Sequence, residues 1–321
     1  MNLSLEFLER CSAETGFQVA AIEKVARIGE IAGNIARDQM LGVVLALKGG
    51  TALNLCFGPP TRLSVDLDFN YIGSEAREEM LVERPKVREA ILTLATRMGY
   101  RPQESAEAFS GGKIYLTYRS GLGPRDRIEI DLNYLFRIPF SGTVVQRLWQ
   151  PGALDQPGVR IIGVSELLIG KFLALLDRGA ARDVWDVANL PQAVSEIAGS
   201  EKFRRQFIAF SAILPHPLTT YTQRRLEKLA THQVLTDQLI PVLIRNEVID
   251  LSTLVGRAWD VIAHLLHVDA DEAEYIASIE RGEIRTELLF PDNTDTAALF
   301  ARHPAIQWKI KNVRHKLGRK E

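Results

Sequence analysis

Cysteine is nearly absent: Cys11 and Cys56 are the only two in 321 residues. Both lie in apolar, helical-looking stretches without the paired spacing of a zinc or redox site, so they read as buried packing thiols and not as a disulfide framework. Long apolar runs are missing too. None approaches the ~20 residues of a membrane-spanning helix, and an N-terminus with Glu6, Glu9 and Arg10 in its first turns lacks the basic start and apolar core of an export signal. These absences predict a cytoplasmic protein without a membrane partner. An excess of either charge is also lacking, since 39 Lys and Arg face 40 Asp and Glu. That balance excludes a chain that holds nucleic acid by bulk charge, and any polyanion site has to be focal.

What is present is a large apolar fraction, 46% of residues, enough for one large domain or two ordinary ones. From Leu5 to about Met40, apolar residues recur three and four apart, as in amphipathic helices. Residues 42–47 form a continuous apolar run that stops at Lys48-Gly49-Gly50, which predicts a strand, a tight turn and a helix opening at Thr51. Pro59-Pro60 ends that helix, and residues 65–71 alternate as in a strand with one wet face. A helix follows over 75–98, then two strands, 113–118 and 127–135, paired antiparallel across Gly121 and Gly123. Beyond Pro151-Gly152 and Pro157-Gly158 the pattern is almost wholly helical, which places a domain boundary near residue 155. Neither internal repeats nor low-complexity segments are found.

Residues two apart on a strand share a face, so Asp66 and Asp68 stand side by side, with Ser64 on the same side, while Val65, Leu67 and Phe69 turn into the core. Paired carboxylates repel unless a divalent cation or a basic partner lies between them. Oxygen ligands with room left for water and phosphate favour magnesium or manganese over zinc. Glu129, Asp131 and Asn133 share one face of a nearby strand, so Asp131 is a candidate third carboxylate; three converging acids suit in-line phosphoryl transfer with two metals. Gly49 and Gly50 let backbone approach a triphosphate at exposed helix N–H groups, and Thr51 offers a hydroxyl. Taken singly, an Asp-x-Asp is equally a solvated strand face and a Gly-Gly an ordinary turn.

Residues 163–176 predict a helix capped by Ser165, with Lys171 and Arg178 two turns apart on one face. Such a pair binds β and γ phosphates, lysine as a point charge and arginine as a fork, or is simply two surface cations. In the next helix Asp183 and Asp186 share a face. Asp183 reads as a cap or as a catalytic acid. Asp186 is too far in to cap and reads as orienting Lys171 through an ion pair, with proton acceptance from the incoming hydroxyl as the alternative. His264 and His267 have no acidic third ligand beside them and read as structural. From Trp308 onward Lys309, Lys311, Arg314, Lys316, Arg319 and Lys320 form either a solvated face or a phosphate contact.

Gly49-Gly50-Thr51, the arginine after it, Ser64-x-Asp66-x-Asp68, and Lys171 with Arg182-Asp183-x-x-Asp186 together resemble the AbiEii-type nucleotidyltransferase toxins, relatives of the DNA polymerase β superfamily. Leu288-Leu289-Phe290 and His303-Pro304-Ala305-x-x-Trp308-Lys309 extend the likeness toward the C-terminus. The resemblance implies a bilobed α/β (α+β) protein: a mixed-sheet nucleotidyltransferase core with N-terminal helices over 1–155, then a mainly helical lobe over 156–321 with a basic tail. It implies a metal-dependent toxin that moves a nucleotide from an NTP to an RNA acceptor, by analogy the 3′ end of tRNA, to block translation, with a cognate antitoxin as partner. Position by position, Ser64, Asp66, Lys171 and Asp186 fall on its catalytic residues. Magnesium, or manganese, would be held by Asp66, Asp68 and, from the strand pattern, Asp131. The nucleotide would meet Gly49, Gly50, Thr51, Ser64, Lys171 and Arg178 in a cleft between the lobes. Two alternatives remain: kinase-like phosphotransfer to a protein Ser or Thr from the same site, and a non-catalytic nucleotide-binding regulator.

Overall fold

The computed structural model describes residues 3–106 and 108–318. The chain divides into two compact units, Met1–Gly163 with Thr236–Val248, and Val164–Leu235 with Ile249–Glu321.

The first unit opens with α1 (Leu5–Thr15) and α2 (Val19–Arg37). Ser4 Oγ accepts the Phe7 amide at 3.2 Å and caps α1. Along α2, Ile22, Val25, Ile28, Ile31 and Ile35 are buried at helical spacing. The strand expected over 42–47 is shorter: the chain first makes a helical turn, α3 (Leu41–Val44), and only then β1 (Leu45–Lys48). Asp38 is the cause. Its Oδ1 accepts the amides of Met40 and Leu41 at 3.0 and 2.9 Å, which starts the turn. There follow α4 (Gly49–Leu55), β2 (Asp66–Tyr71), α5 (Arg77–Arg97), β3 (Arg101–Glu104), β4 (Gly111–Arg119), β5 (Arg125–Asn133), β6 (Thr143–Arg147) and β7 (Gly158–Ile162).

The strands make one mixed sheet in the order β3-β4-β5-β2-β1-β7-β6. β2 is antiparallel to β1 and parallel to β5, and β4 and β5 form the expected antiparallel pair. One face is core: Leu67, Phe69 and Tyr71 of β2, Ile114 and Leu116 of β4, and Ile128, Ile130 and Leu132 of β5 are all buried. The acids lie on the other. Because β7 joins the sheet, the first unit runs past residue 155 to Gly163. It also takes back Thr236–Val248, where the Leu63 amide donates to Val242 O at 2.8 Å, Arg62 bridges Leu243, and the Arg245 amide donates to Gly16 O at 2.9 Å.

The second unit is helical among its described residues, beginning with α6 (Val164–Arg178) and α7 (Ala181–Ala188). Ser165 lies inside α6 instead of capping it. Phe172 of α6 packs edge-on against Phe203 and Phe207 at 5.7 and 6.4 Å between centroids. Among the described residues no helix is long and apolar enough to cross a membrane. Cys11 is fully buried, and burial pushes the Cys56 thiol up to about 12, so both thiols stay protonated and inert.

Candidate active site

Strand register gathers charge that is scattered in the sequence. Lys48 of β1 pairs with Asp68 of β2, Asp68 with Asp131 of β5, and Asp131 with Lys113 of β4. Two carboxylates on strands about 4.8 Å apart are thus flanked by a lysine on either side. One row along, Asp66 pairs with Glu129, and Glu129 with Tyr115; Glu129 also forms an ion pair with Lys113. Burial pushes the Asp131 carboxyl above the ordinary range; the charges of Asp68 and Glu129 act in the same direction, and those of Lys48 and Lys113 oppose them. Among the described residues, no three His, Cys, Asp or Glu side chains are gathered into a ready metal site. The adjacent pair is Asp68 with Asp131, and Asp66 stands on the neighbouring row. An all-oxygen donor set with excess negative charge fits a hard divalent cation such as magnesium or manganese.

The glycine turn is built around these acids. Gly49 adopts φ 69, and a Cβ there would collide with Asp68 Oδ2. A Cβ on Gly50 would lie 2.9 Å from Arg62 Nη2 and 3.2 Å from Ser64 Oγ. The missing side chains therefore admit Asp68, Arg62 and Ser64 to the first turn of α4. Thr51 and Ser64 are both buried, with hydroxyls 2.9 Å apart, and Thr51 Oγ1 also hydrogen-bonds the Asp66 carbonyl. In this arrangement Thr51 fixes the acid-bearing loop to α4 and does not face outward. Gly49→Ala is expected to cost about 1–3 kcal/mol through the left-handed backbone and the displaced carboxylate. Urea unfolding measures it, and an unchanged midpoint would contradict the close approach.

In the second unit, Lys171 is 7% exposed and sits between two carboxylates, with Nζ 3.0 Å from Asp183 Oδ1 and 2.7 Å from Asp186 Oδ2. Arg178 forks onto Asp183, with Nε 2.7 Å from Oδ2 and Nη2 3.1 Å from Oδ1. Burial by itself would raise the Asp183 carboxyl. Lys171 and Arg178 outweigh it and hold the group below the ordinary range. Asp183 does not cap α7, whose N-cap Ala180 makes no side-chain cap bond. Asp186 does pair with Lys171. Arg178, its side chain 64% exposed, is the member of this group that faces solvent.

Three residues given no role from the sequence, Lys48, Arg62 and Lys113, belong to the first-unit site. The placement of Lys48 and Lys113 beside the acids becomes visible only through register, and that of Arg62, the 2% exposed arginine of the motif, only through its contacts. Of the basic C-terminal stretch, Lys309 Nζ donates to Leu214 O at 2.6 Å and Arg314 Nε to Gly282 O at 2.8 Å, so both hold their own unit together. Arg319 and Lys320 lie outside the described residues. His264 and His267 use their carbonyls to accept from Arg204.

A family model described as "Nucleotidyl transferase AbiEii toxin, Type IV TA system" matches residues 36–252, a span that includes every candidate site residue of both units. Among solved structures the chain is similar to MenT4, a nucleotidyltransferase toxin from Mycobacterium tuberculosis, at 19% identity and a TM-score of 0.66, covering 93% of this chain and 99% of that one. The likeness is one of fold. An alignment with the Cid1 poly(U) polymerase, solved with MgGTP bound, covers 99% of this chain and 96% of that one at 12% identity, with a TM-score of only 0.31. No curated protein matches.

Proposed function

The chain belongs to the AbiEii family of nucleotidyl transferase toxins, and on that premise we propose that it moves a nucleotide from an NTP to the 3′ end of an RNA, with tRNA as the acceptor. The observation that carries this reading is the row Lys48, Asp68, Asp131 and Lys113 beside the Gly49-Gly50 turn. Asp68 and Asp131, with Asp66 from the next row, are the residues to hold magnesium or manganese. A divalent ion held there would supply Lewis-acid chemistry, lowering the pKa of an attacking hydroxyl and offsetting charge on a departing pyrophosphate.

The chain's own residues do the positioning. Lys48 and Lys113 limit repulsion between the acids and supply point charges for phosphate oxygens. Thr51 holds Ser64, and Ser64 offers its hydroxyl to the nucleotide. Within the second unit Asp183 and Asp186 fix Lys171, and the exposed Arg178 is the cation of that group able to meet phosphate oxygens. The acceptor 3′ oxygen bonds to the α phosphorus as the bond to the α–β bridging oxygen breaks, and pyrophosphate leaves with that electron pair. The hydroxyl proton passes to solvent or to a carboxylate. The setting is the cytoplasm, where a cognate antitoxin restrains the enzyme and tRNA loss stops translation.

Incubation with total RNA and each α-labelled nucleotide in turn, with magnesium, tests reaction class, base choice and acceptor together. Label is expected in RNA of tRNA size and is expected to vanish with a chelator. Transfer of γ label to protein would replace this reading with a kinase-like one. No turnover with any nucleotide would leave a nucleotide-binding regulator.

A further inference from the structure

The sheet face that carries the acids continues beyond them. On β4, Lys113, Tyr115, Thr117 and Arg119 share a face with their β5 partners Asp131, Glu129, Arg127 and Arg125, and Arg101 of β3 joins opposite Thr117. Moving outward from Asp131, the third row holds Arg101, Thr117 and Arg127, and the fourth Arg119 and Arg125. All four arginines are exposed. No carboxylate shares this face with them in those rows: Asp126 belongs to the opposite face, where Lys24 pairs with it at 3.0 Å, and Glu129 is taken by Lys113.

Two features mark this patch as more than a solvated face. Like charges directly opposite each other destabilise a sheet, yet Arg119 and Arg125 are direct partners, an arrangement that a bound polyanion relieves. Between the arginines and the acids, the Arg127 guanidinium lies over one face of the half-buried Tyr115 ring at 4.7 Å, a planar pair of the kind against which bases stack. The run from Arg125 to Asp131 spans about 20 Å of strand. In a chain with a net charge of −1, such a patch is the focal attraction that a polyanionic substrate requires.

We propose that this face is the acceptor track: a single-stranded RNA end lies across β3, β4 and β5, its phosphates on Arg101, Arg119, Arg125 and Arg127, a base on Tyr115, and its 3′ terminus at the acids. The inference rests on the reading of the site as a nucleotidyltransferase with an RNA acceptor. Its continuity with Asp131 favours RNA over an acidic protein surface, because the acceptor has to arrive at those acids.

The test is anisotropy titration of a short 5′-labelled single-stranded RNA with the full chain, without nucleotide, over a range of salt. Four phosphate contacts predict a slope of log K against log salt of about −2.8, falling to about −1.4 in R119A/R125A, with binding at low salt weakened about tenfold or more. Tyr115→Ala is expected to weaken binding about tenfold with the slope unchanged. Thermal midpoints of the variants check that they fold. An R119A/R125A protein that binds RNA as the wild type does overturns the track, as does arginine-dependent binding of polyglutamate by a wild type that ignores RNA. Label transfer run in parallel separates the two claims. Transfer to RNA with arginine-independent binding removes the track alone, whereas arginine-dependent binding with no transfer removes the enzymatic reading and, with it, the acceptor role, leaving an RNA-binding face.

Discussion

Asp66→Ala is expected to lower transfer of α-labelled nucleotide to RNA by about a thousandfold or more while leaving the first unit folded. Losing a carboxylate that holds a divalent ion removes several kcal/mol of charge stabilisation from the transition state, and about 4 kcal/mol corresponds to a factor of a thousand. The fold should tolerate the change. Asp66 opens β2, is half-buried, and anchors to Thr51 through its backbone carbonyl, which alanine keeps. Single-turnover rates and a urea midpoint on the same preparation decide the matter: full activity removes Asp66 from the chemistry, and a collapsed midpoint makes it structural.

Lys171→Ala is expected to have the largest effect on stability. Lys171, Asp183 and Asp186 are all buried, and deleting the cation leaves two carboxylates facing each other, of which Arg178 compensates one. Removing one partner from a buried ion pair costs about 3–5 kcal/mol. The pH dependence carries a definite sign. Asp183 is held below the ordinary carboxylate range, so in the wild type its contribution is complete above about pH 4 and is lost as pH falls through the depressed value. Without Lys171, burial favours protonation, so the deficit of the variant should shrink as the pH is lowered. Adding Asp186→Asn to Lys171→Ala should restore much of the stability without restoring transfer. A single variant as stable as the wild type would show that the ion pair holds nothing together.

The Asp-x-Asp strand was legible because its cue is local: a period of two places Asp66, Asp68 and Ser64 on one side regardless of what lies beside them. The same cue located Asp131. It could not find the row Lys48, Asp68, Asp131 and Lys113, because register is a property of pairs of strands and the parallel pairing of β2 with β5 joins segments separated by a helix and two strands. β3 and β6 escaped for a related reason: Arg101–Glu104 is mostly exposed, and β6 leaves Val144 and Val145 in solvent, so neither has a half-buried alternation to read. β7 follows Pro157 and was absorbed into a turn signal. Asp183 shows the limit of local rules differently. A carboxylate in the first turn of a helix looks the same whether it caps that helix or receives a lysine from another, and only the fold decides.

The bridge between Arg62 and Leu243 also sets an order of events in synthesis. The loop that carries Ser64 toward Asp66 is seated by a segment made far later: 243 minus 62 is 181 residues, roughly 10–40 s of elongation at about 5–20 residues per second. A nascent chain therefore holds Asp66, Asp68 and Asp131 long before it holds the strand partner of the loop beside them, and a fragment ending at Gly163 never acquires it. The first unit is thus completed only after the first helices of the second unit have been translated.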